Sequence, residues 1–568
     1  MLGQVSIQVE TLLSAGLGFL TGLFESDDDL KLLIVATRTD LPLAAKKPTE
    51  TTREADTQGG DDSSGRSDAL KTNDDLNEPS TMNTRMSRRS FIGTGAAVVV
   101  GAVVAGGLGY YVAGGFKPSP VTSSSTTSAK FGPTPGTVNV FTVAGPRWDQ
   151  PMEALIPGFK TAYPGVDVSI TTADIVTEIF AKGPLLVGQN TYSYDLFSIL
   201  RENVLPAAVN GHLLPLDDYV NDPDFGIPDL QNFKQAYDNP YATPTTDYPT
   251  AQVAGYTFRG PDGQVHLYGI PTDGNTEICV WRTDLATAAG YPDGPPDDLD
   301  HMLEFVKAVH KPPNVYGWAV GMLVPRYSYL TFQDLLWEYG GDVLTYDKVN
   351  QKATILLDQG DAATTALDLL TQLFTYSPPG LLEWFDPEMN QAVGVTGNVA
   401  YSPFDFGNPS PFLKSLSPFA DKLASKIVPK GPKARACINF GVGVIVQAAA
   451  KNPFDAYLFG RYQQQPGDPI TTYVKNTGQV ARLSTLRDPA INALPGLSYF
   501  KAMADSLGVS RNYETLDLAG LPNWADLQNV IGNEVATVVQ GKESSATGVK
   551  NMVAGLTTVL AQAGEIKT

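Results

Sequence analysis

The chain has 568 residues, of which 42% are hydrophobic and 18% are charged. This is enough apolar material for sizeable cores, but the chain is too long for a single one. The formal net charge of −20 argues against a nucleic acid as partner, because binding a phosphate backbone requires a basic face.

Residues 1–81 are not expected to be part of a folded domain. After a short apolar run they are acidic and rich in Thr, Ser, Gly and Asp, a composition that cannot bury enough surface to offset the entropy lost on ordering. A twin-arginine export motif, Ser-Arg-Arg-Ser-Phe-Ile, follows at residues 87–92. Because such signals stand at the beginning of a protein, we expect Met82 or Met86 to be the true start and residues 1–81 to be a mis-called extension.

Residues 82–117 are predicted to be a twin-arginine signal with a membrane segment. Residues 92–116 carry no charge, and this span is long enough to cross a bilayer. The sequence leaves open whether the segment is cleaved or remains as an anchor. Residues 118–136 are rich in Ser, Thr and Pro and are predicted to form a flexible linker. The expected location is therefore extracellular, at the cell surface or in the periplasm.

The folded part opens with a predicted βαβ unit. Residues 138–143 and 166–170 have strand patterns, and apolar residues recur at helical spacing between Met152 and Tyr163. The later segment 211–219, Gly-His-Leu-Leu-Pro-Leu-Asp-Asp-Tyr, predicts a loop that leads into a helix, with Asp217 as its N-cap.

Residues 268–281 are predicted to be a crossover between two lobes. Proline and glycine supply turn chemistry in this segment, and an apolar strand resumes at residues 277–281. Later segments with helical periodicity are residues 299–309, 363–374, 530–539 and 549–560. Residues 442–446 and 478–483 are predicted to be the second and third crossings.

The order of these segments resembles the extracellular solute-binding proteins that feed sugar ABC transporters. The resemblance rests on the Tyr-Gly-Ile-Pro run at 268–271, the strand that ends in Trp281, Pro295-Pro296 and the segment 211–219, and it spans residues 137–568. It implies an α/β, two-lobed periplasmic-binding-protein-like type II fold, in which each lobe is a doubly wound sheet flanked by helices and crossover hinge strands join the lobes. Lobe 1 would comprise residues 137–276 and 441–477, and lobe 2 residues 277–440 and 478–568.

The predicted ligand-binding residues lie at the ends of strands, where open α/β sheets bind their ligands. They are Arg147, Trp148, Asp149, Arg201, Glu202, Asp273, Asn275, Phe404, Asp405 and Phe406. Two alternatives stay open: Trp148 as a core residue, and Arg201 with Glu202 as a solvated ion pair. Further aromatic candidates, without a motif to place them, are Tyr327, Tyr329, Trp384 and Trp524.

The resemblance implies a receptor that binds a sugar or oligosaccharide by hinge closure and delivers it to an ABC permease, as a monomer. No His-Glu-x-x-His, Gly-x-Ser-x-Gly or phosphate-loop motif is present, so we expect no catalytic residue, metal or cofactor. Two rivals are a secreted carbohydrate-active enzyme that uses Asp405 with another carboxylate, and a carbohydrate-adhesion module. The sequence does not name the sugar.

The two cysteines, Cys279 and Cys437, are too few for a disulfide scaffold and too far apart for a metal knuckle. Two buried thiols are the simpler interpretation. The alternative is a disulfide, because paired crossovers in this fold would run side by side and bring both residues close together.

Overall fold

The computed structural model describes residues 131–174, 185–189, 191–201, 204–347, 350, 352–512 and 524–566, all within one unit, Arg85–Thr568. The predicted N-terminal extension, the twin-arginine signal with its membrane segment and most of the linker lie outside the described residues. No helix of the described part is both long and apolar enough to cross a membrane.

Runs of consecutive strands and runs of consecutive helices follow one another along the described chain. The strands are β1 (Gly136–Val143), β2 (Val166–Ala173), β3 (Leu196–Leu200), β4 (Thr257–Arg259), β5 (Val265–Leu267), β6 (Gly269–Asp273), β7 (Glu277–Arg282), β8 (Leu344–Asp347), β9 (Lys352–Ile355), β10 (Tyr401–Phe406), β11 (Leu423–Lys426), β12 (Cys437–Ile438), β13 (Val442–Val446) and β14 (Ser510–Arg511). The α-helices are α1 (Asp149–Ala162), α2 (Val204–Val209), α3 (Asp217–Val220), α4 (Phe233–Asp238), α5 (Thr250–Ala254), α6 (Thr283–Ala288), α7 (Met302–Val309), α8 (Arg326–Glu338), α9 (Ala362–Phe374), α10 (Asp386–Asn390), α11 (Pro453–Gln463), α12 (Asp468–Lys475), α13 (Leu483–Arg487), α14 (Pro489–Asn492), α15 (Phe500–Leu507), α16 (Trp524–Val539) and α17 (Ser545–Gln562). Short 3₁₀-helices span Pro228–Leu230, Leu381–Glu383, Ser410–Phe412 and Ala420–Lys422, and a π-helix spans Gln391–Val395.

The first sheet has five strands in the order β2-β1-β3-β13-β6. Strands β1 and β2 are parallel, with Val140 opposite Ile170, as the βαβ prediction requires. Strand β13 is antiparallel to both β3 and β6, so a segment from late in the chain completes the sheet that the early segments begin. This sheet is the centre of the first lobe.

The second sheet has three antiparallel strands in the order β10-β7-β11. Its central strand, β7, is buried at every position and is flanked on both edges by a strand. Only residues 274–276 separate β6 of the first sheet from β7 of the second. The chain therefore passes from the first sheet to the second at residues 274–276, within the segment 268–281.

Helix α3 corrects one prediction made from the sequence. Asp217 is the first residue of the helix rather than its N-cap, which is Leu216. The carboxylate of Asp217 instead lies 2.7 Å from Nδ1 of His266. His266, 49 positions away in sequence, is therefore the partner of the side chain that the local pattern predicted to cap the helix.

Both cysteines are free and buried, so the disulfide alternative is wrong and the two-thiol interpretation is confirmed. Burial raises the pKa of the Cys279 thiol to about 12. Sγ of Cys437 lies 3.4 Å from Oγ1 of Thr276, and burial raises its pKa well above the ordinary value.

The end of the predicted linker packs against the first lobe. The ring of Phe131 stacks on Phe454 at a centroid distance of 5.3 Å and meets Tyr219 edge-on at 4.8 Å. Oγ1 of Thr134 donates a 2.8 Å hydrogen bond to Asp455. Contacts with the first lobe are therefore already present at Phe131, a few residues before the predicted start of lobe 1.

Candidate functional site

A small cavity, with room for about one water molecule, lies at the edge of the second sheet. Phe404, Asp405 and Phe406, at the end of β10, form one side of the cavity. Asp386, Met389 and Asn390 of α10 form the other, and Gly321 completes the lining. The sequence predicted the three β10 residues as ligand contacts, and the structure places all three around one cavity.

The two carboxyl groups of the cavity, Asp386 and Asp405, interact with each other. Burial, together with the charge of Asp386, raises the pKa of Asp405 to about 8. Burial also raises the pKa of Asp386, to about 6, although the guanidinium groups of Arg147 and Arg326 oppose that rise. Carboxyl groups with raised pKa values in a cleft are typical of functional sites.

Arg147 connects the first lobe to this cavity. It follows β1 and is 3% exposed, and its Nε lies 3.3 Å from Oδ2 of Asp273 at the end of β6. Its Nη1 donates a 3.3 Å hydrogen bond to the carbonyl of Gly407, directly after β10. The side chain of Gln479 donates to the same carbonyl, so groups from both lobes meet at Gly407.

Trp148 and Asp149 complete the turn after β1. The indole of Trp148 is half-buried, and the Arg147 guanidinium lies 4.1 Å from the centre of its ring, a distance that allows a cation–π interaction. The carboxylate of Asp149 accepts a 3.0 Å hydrogen bond from the N–H of Gly145. Asp149 therefore holds the turn that carries Arg147 and Trp148.

Arg201 and Asn275 are buried and do not line the cavity. Arg201 is 2% exposed and donates to the carbonyl of Asn439, so the solvated-pair alternative is wrong for this residue. The backbone carbonyl of Asn275 accepts hydrogen bonds from Phe440 and Gly441. Neither residue lines the cavity, and Glu202 lies outside the described residues.

Sequence reasoning missed the contribution of α10. Asp386 and Asn390 sit in a five-residue polar helix with no periodicity to mark it. The π-helix Gln391–Val395 follows directly, and π-helical turns are frequent at functional sites. Of the lower-ranked aromatic residues, Tyr327 packs against Phe406 at a ring distance of 5.8 Å, one layer behind the cavity.

A second group of carboxyls lies buried where the chain crosses between the lobes. Glu277 of β7 accepts a 2.9 Å hydrogen bond from the N–H of Ile438, and Asp334 and Glu338 of α8 lie close to it. Burial raises the pKa of all three well above the ordinary values, and the mutual repulsion of Glu277 with Asp334 adds to the rise at Glu277. In the described part of the chain, no group of three or more His, Cys, Asp or Glu residues has the arrangement of a metal site.

A sequence model of the family described as bacterial extracellular solute-binding protein matches residues 141–467, which is more than half of the chain. The chain belongs to this family. Among curated proteins, none matches this solute-binding protein by sequence.

Solved structures show the same fold. A solute-binding protein of Agrobacterium vitis S4 with bound D-mannitol has a TM-score of 0.59 at 17% identity, covering 76% of this chain and 100% of its own. Maltose-bound MalE3 of T. maritima has a TM-score of 0.57 at 18% identity, over 75% and 100%. A protein of Agrobacterium radiobacter K84 in complex with ribitol also scores 0.57 at 18% identity, over 75% and 99%. The two-lobed type II periplasmic-binding-protein fold is thereby confirmed for this chain.

Proposed function

We propose that this solute-binding protein is an extracellular receptor that holds a sugar or polyol between its lobes and delivers it to an ABC transporter permease. The observation that carries the proposal is the meeting of both lobes at Gly407, beside a cavity with aromatic rings, carboxyls and an amide. Rings stack on the apolar faces of sugars, while carboxyls and amides bind hydroxyls.

The bound ligands of similar structures support this ligand class. Those proteins hold D-mannitol, maltose and ribitol, which all present hydroxyl groups along a carbon skeleton. The cavity has room for about one water molecule, far less than a ligand pocket, so a sugar or polyol would enter only after the lobes open. Hinge opening would enlarge it.

A thermal-shift screen of the purified folded region tests the proposal. Monosaccharides, oligosaccharides and polyols are compared with peptides as controls, and a specific ligand should raise the melting temperature in a concentration-dependent way. The same mixtures are then analysed for products. A shift without turnover supports a receptor, whereas turnover without any added partner supports a carbohydrate-active enzyme and would overturn the proposal.

Delivery to a permease requires export, which we assign to the twin-arginine motif at residues 87–92. After export, the uncharged segment 92–116 would either be removed or tether the receptor to the membrane. Replacing Arg88 and Arg89 by Lys should retain the protein inside an expressing cell. Export of that variant at the wild-type level would overturn this assignment while leaving the ligand proposal untouched.

A further inference from the structure

Two carboxyl groups meet beside the segments that join the two sheets. Glu277, the first residue of β7, is 2% exposed, and Asp334 of α8 is fully buried. The carboxyl of Asp334 interacts with that of Glu277 and with the N–H of Ile438. Two carboxyls form a hydrogen bond to each other only when one of them carries a proton. Burial raises the pKa of both groups well above the ordinary values, so the pair keeps a shared proton at acidic and neutral pH.

The pair lies where the chain passes between the sheets. The first passage is residues 274–276, between β6 and β7, and the second is residues 439–441, which lead from β12 back into the first sheet at β13. Oγ1 of Thr276 donates a 2.7 Å hydrogen bond to the carbonyl of Ile438. Oε2 of Glu277 accepts a 2.9 Å hydrogen bond from the N–H of the same residue. The carboxyl pair is therefore part of the contact between the two passages.

Glu277 is also one position away from the contact between the lobes. It lies opposite Phe406 in the register of β7 and β10, and the next residue, Gly407, donates a 3.2 Å backbone hydrogen bond to the carbonyl of Thr276. The carbonyl of Gly407 in turn accepts from Nη1 of Arg147 in the first lobe. A displacement of Glu277 would therefore move the strand ends that hold Gly407 against Arg147.

The surroundings of the pair oppose a second negative charge. The titratable and charged groups of the described residues around it are Glu338 of α8, Asp405 of β10, Cys437 of β12, Arg435 before β12, Arg511 of β14 and Arg201 after β3. The three arginines have other partners: the carboxylate of Asp297, the ring of Trp337 and the carbonyl of Asn439, respectively. Two carboxylates at this buried position would therefore repel each other strongly.

We propose that Glu277 and Asp334 form a proton-dependent switch for closure of the lobes. With the shared proton in place, the pair holds β7, α8 and the second passage together and keeps Gly407 within reach of Arg147. When the pair releases its last proton to solvent, the carboxylates repel each other, the contact at Gly407 weakens, and affinity for a solute between the lobes falls. This inference rests on the proposed function and adds its regulation by pH.

Hydrogen exchange tests the switch without any solute. In the full-length wild-type protein, the protection factors of peptides that contain Gly407 or Ile438 should fall about tenfold or more between about pH 5.5 and about pH 9. Peptides of β1 should change less, which separates a local effect from global unfolding. Asp334→Asn cannot ionise, so its protection factors should stay level. The matched control Asp421→Asn, whose carboxylate is 72% exposed and pairs with Lys414, should follow the wild type.

A second variant and three solutes extend the test. Glu277→Gln repeats the measurement should Asp334→Asn fail to fold, because its amide oxygen can still accept from Ile438. Affinities for D-mannitol, ribitol and maltose, which carry no group that ionises in this range, are measured by calorimetry at both pH values. For a solute that binds, the dissociation constant of the wild type should rise about tenfold or more at the higher pH, and that of the variant by about twofold or less.

The outcomes separate this inference from the function on which it rests. Protection factors that stay level in the wild type, or fall equally in both variants, would overturn the inference. A fall in protection with unchanged affinity would also overturn it, because the pair would not control closure. If protection fell as expected but no sugar or polyol bound at either pH, the switch between the passages would stand and the proposed function would be overturned.

Discussion

Arg147 and Asp273 form a nearly buried ion pair, with Nε 3.3 Å from Oδ2 and side-chain exposures of 3% and 4%. Arg147 follows β1 and Asp273 ends β6, two strands of the first sheet that lie far apart in sequence. The pair fixes the guanidinium that reaches Gly407 of the second lobe. The ion pair therefore connects the sheet of the first lobe to the contact between the lobes at Gly407.

Arg147→Ala should destabilise the fold by about 3–5 kcal/mol, because it leaves the Asp273 carboxylate buried without its partner. Arg147→Ala combined with Asp273→Asn should recover part of that loss. Urea unfolding of the single and double variants measures both effects. The surface pair Lys160–Asp167, with exposures of 51% and 57%, provides the control: Lys160→Ala should change the unfolding free energy by about 1 kcal/mol or less. An equally small effect of Arg147→Ala would contradict the prediction that its buried ion pair with Asp273 stabilises the fold.

Trp148→Ala should weaken ligand binding by about 1–3 kcal/mol, through loss of a stacking surface. The indole is half-buried, so the melting temperature should fall less than for a core tryptophan. Trp318→Ala, at a position 1% exposed, serves as the comparison for a core residue. If Trp148→Ala lowered the melting temperature as much as Trp318→Ala and left affinity intact, Trp148 would be a core residue and the cleft misplaced.

Stability should fall as pH rises because of the buried carboxyls Glu277, Asp334 and Glu338. Their pKa values are raised in the folded state. Their contribution is therefore complete below the ordinary values of about 4 and is lost as pH rises through the folded values. Asp334→Asn cannot ionise, and we expect a flatter decline in unfolding free energy between about pH 5 and about pH 8.5.

The exposed Asp421→Asn is the control for that measurement and should follow the wild-type pH curve. A parallel curve for Asp334→Asn would show that Asp334 is ionised to the same degree in the folded and the unfolded protein over this range. It would thereby contradict the predicted contribution of Asp334 to the pH dependence.

His266 should stabilise the first lobe at low pH. Its ring lies between two carboxylates, 2.7 Å from Asp217 and 3.0 Å from Asp262. Burial opposes its charge, but the hydrogen bonds and charges of both acids raise its pKa. The stabilisation is full below the ordinary value of about 6.5 and fades as pH rises through the folded value.

His266→Gln should therefore lower the melting temperature more at about pH 5.5 than at about pH 9. The comparison is His301→Gln, because His301 pairs with Asp298 but is 63% exposed, and an exposed pair contributes little. If His266→Gln lowered the melting temperature equally at both pH values, the effect would come from lost packing and not from lost charge.

Local patterns predicted the elements of the fold well. The parallel β1–β2 pair, strand β7 and helices α1, α7 and α9 follow from alternating or helical spacing of apolar residues, which the sequence displays directly. The domain boundaries and the ligand roles of the site residues stay predictions. What the sequence could not supply is long-range partnership. The side chain of Asp217 pairs with His266 and does not cap its helix. Arg201 is buried and donates a hydrogen bond to the backbone carbonyl of Asn439.

Asp386 shows why half of the cavity escaped prediction. It lies in a short polar helix whose sequence is typical of an exposed turn, and only the packing of α10 beside β10 gives it a role. Cavities form where segments distant in sequence pack together, and the local spacing of apolar residues does not indicate which distant segments will do so. Phe404 to Phe406 were predictable because they end a recognisable strand, where ligands bind in open α/β sheets.

The clasp of Phe131 between Tyr219 and Phe454 has a mechanical consequence. Phe131, Thr134 and their partners all belong to the first lobe, and Asp455 lies in α11, which packs on that lobe's sheet. A force on the chain that precedes Phe131 would therefore act first on Tyr219, Phe454 and Asp455, all in the first lobe.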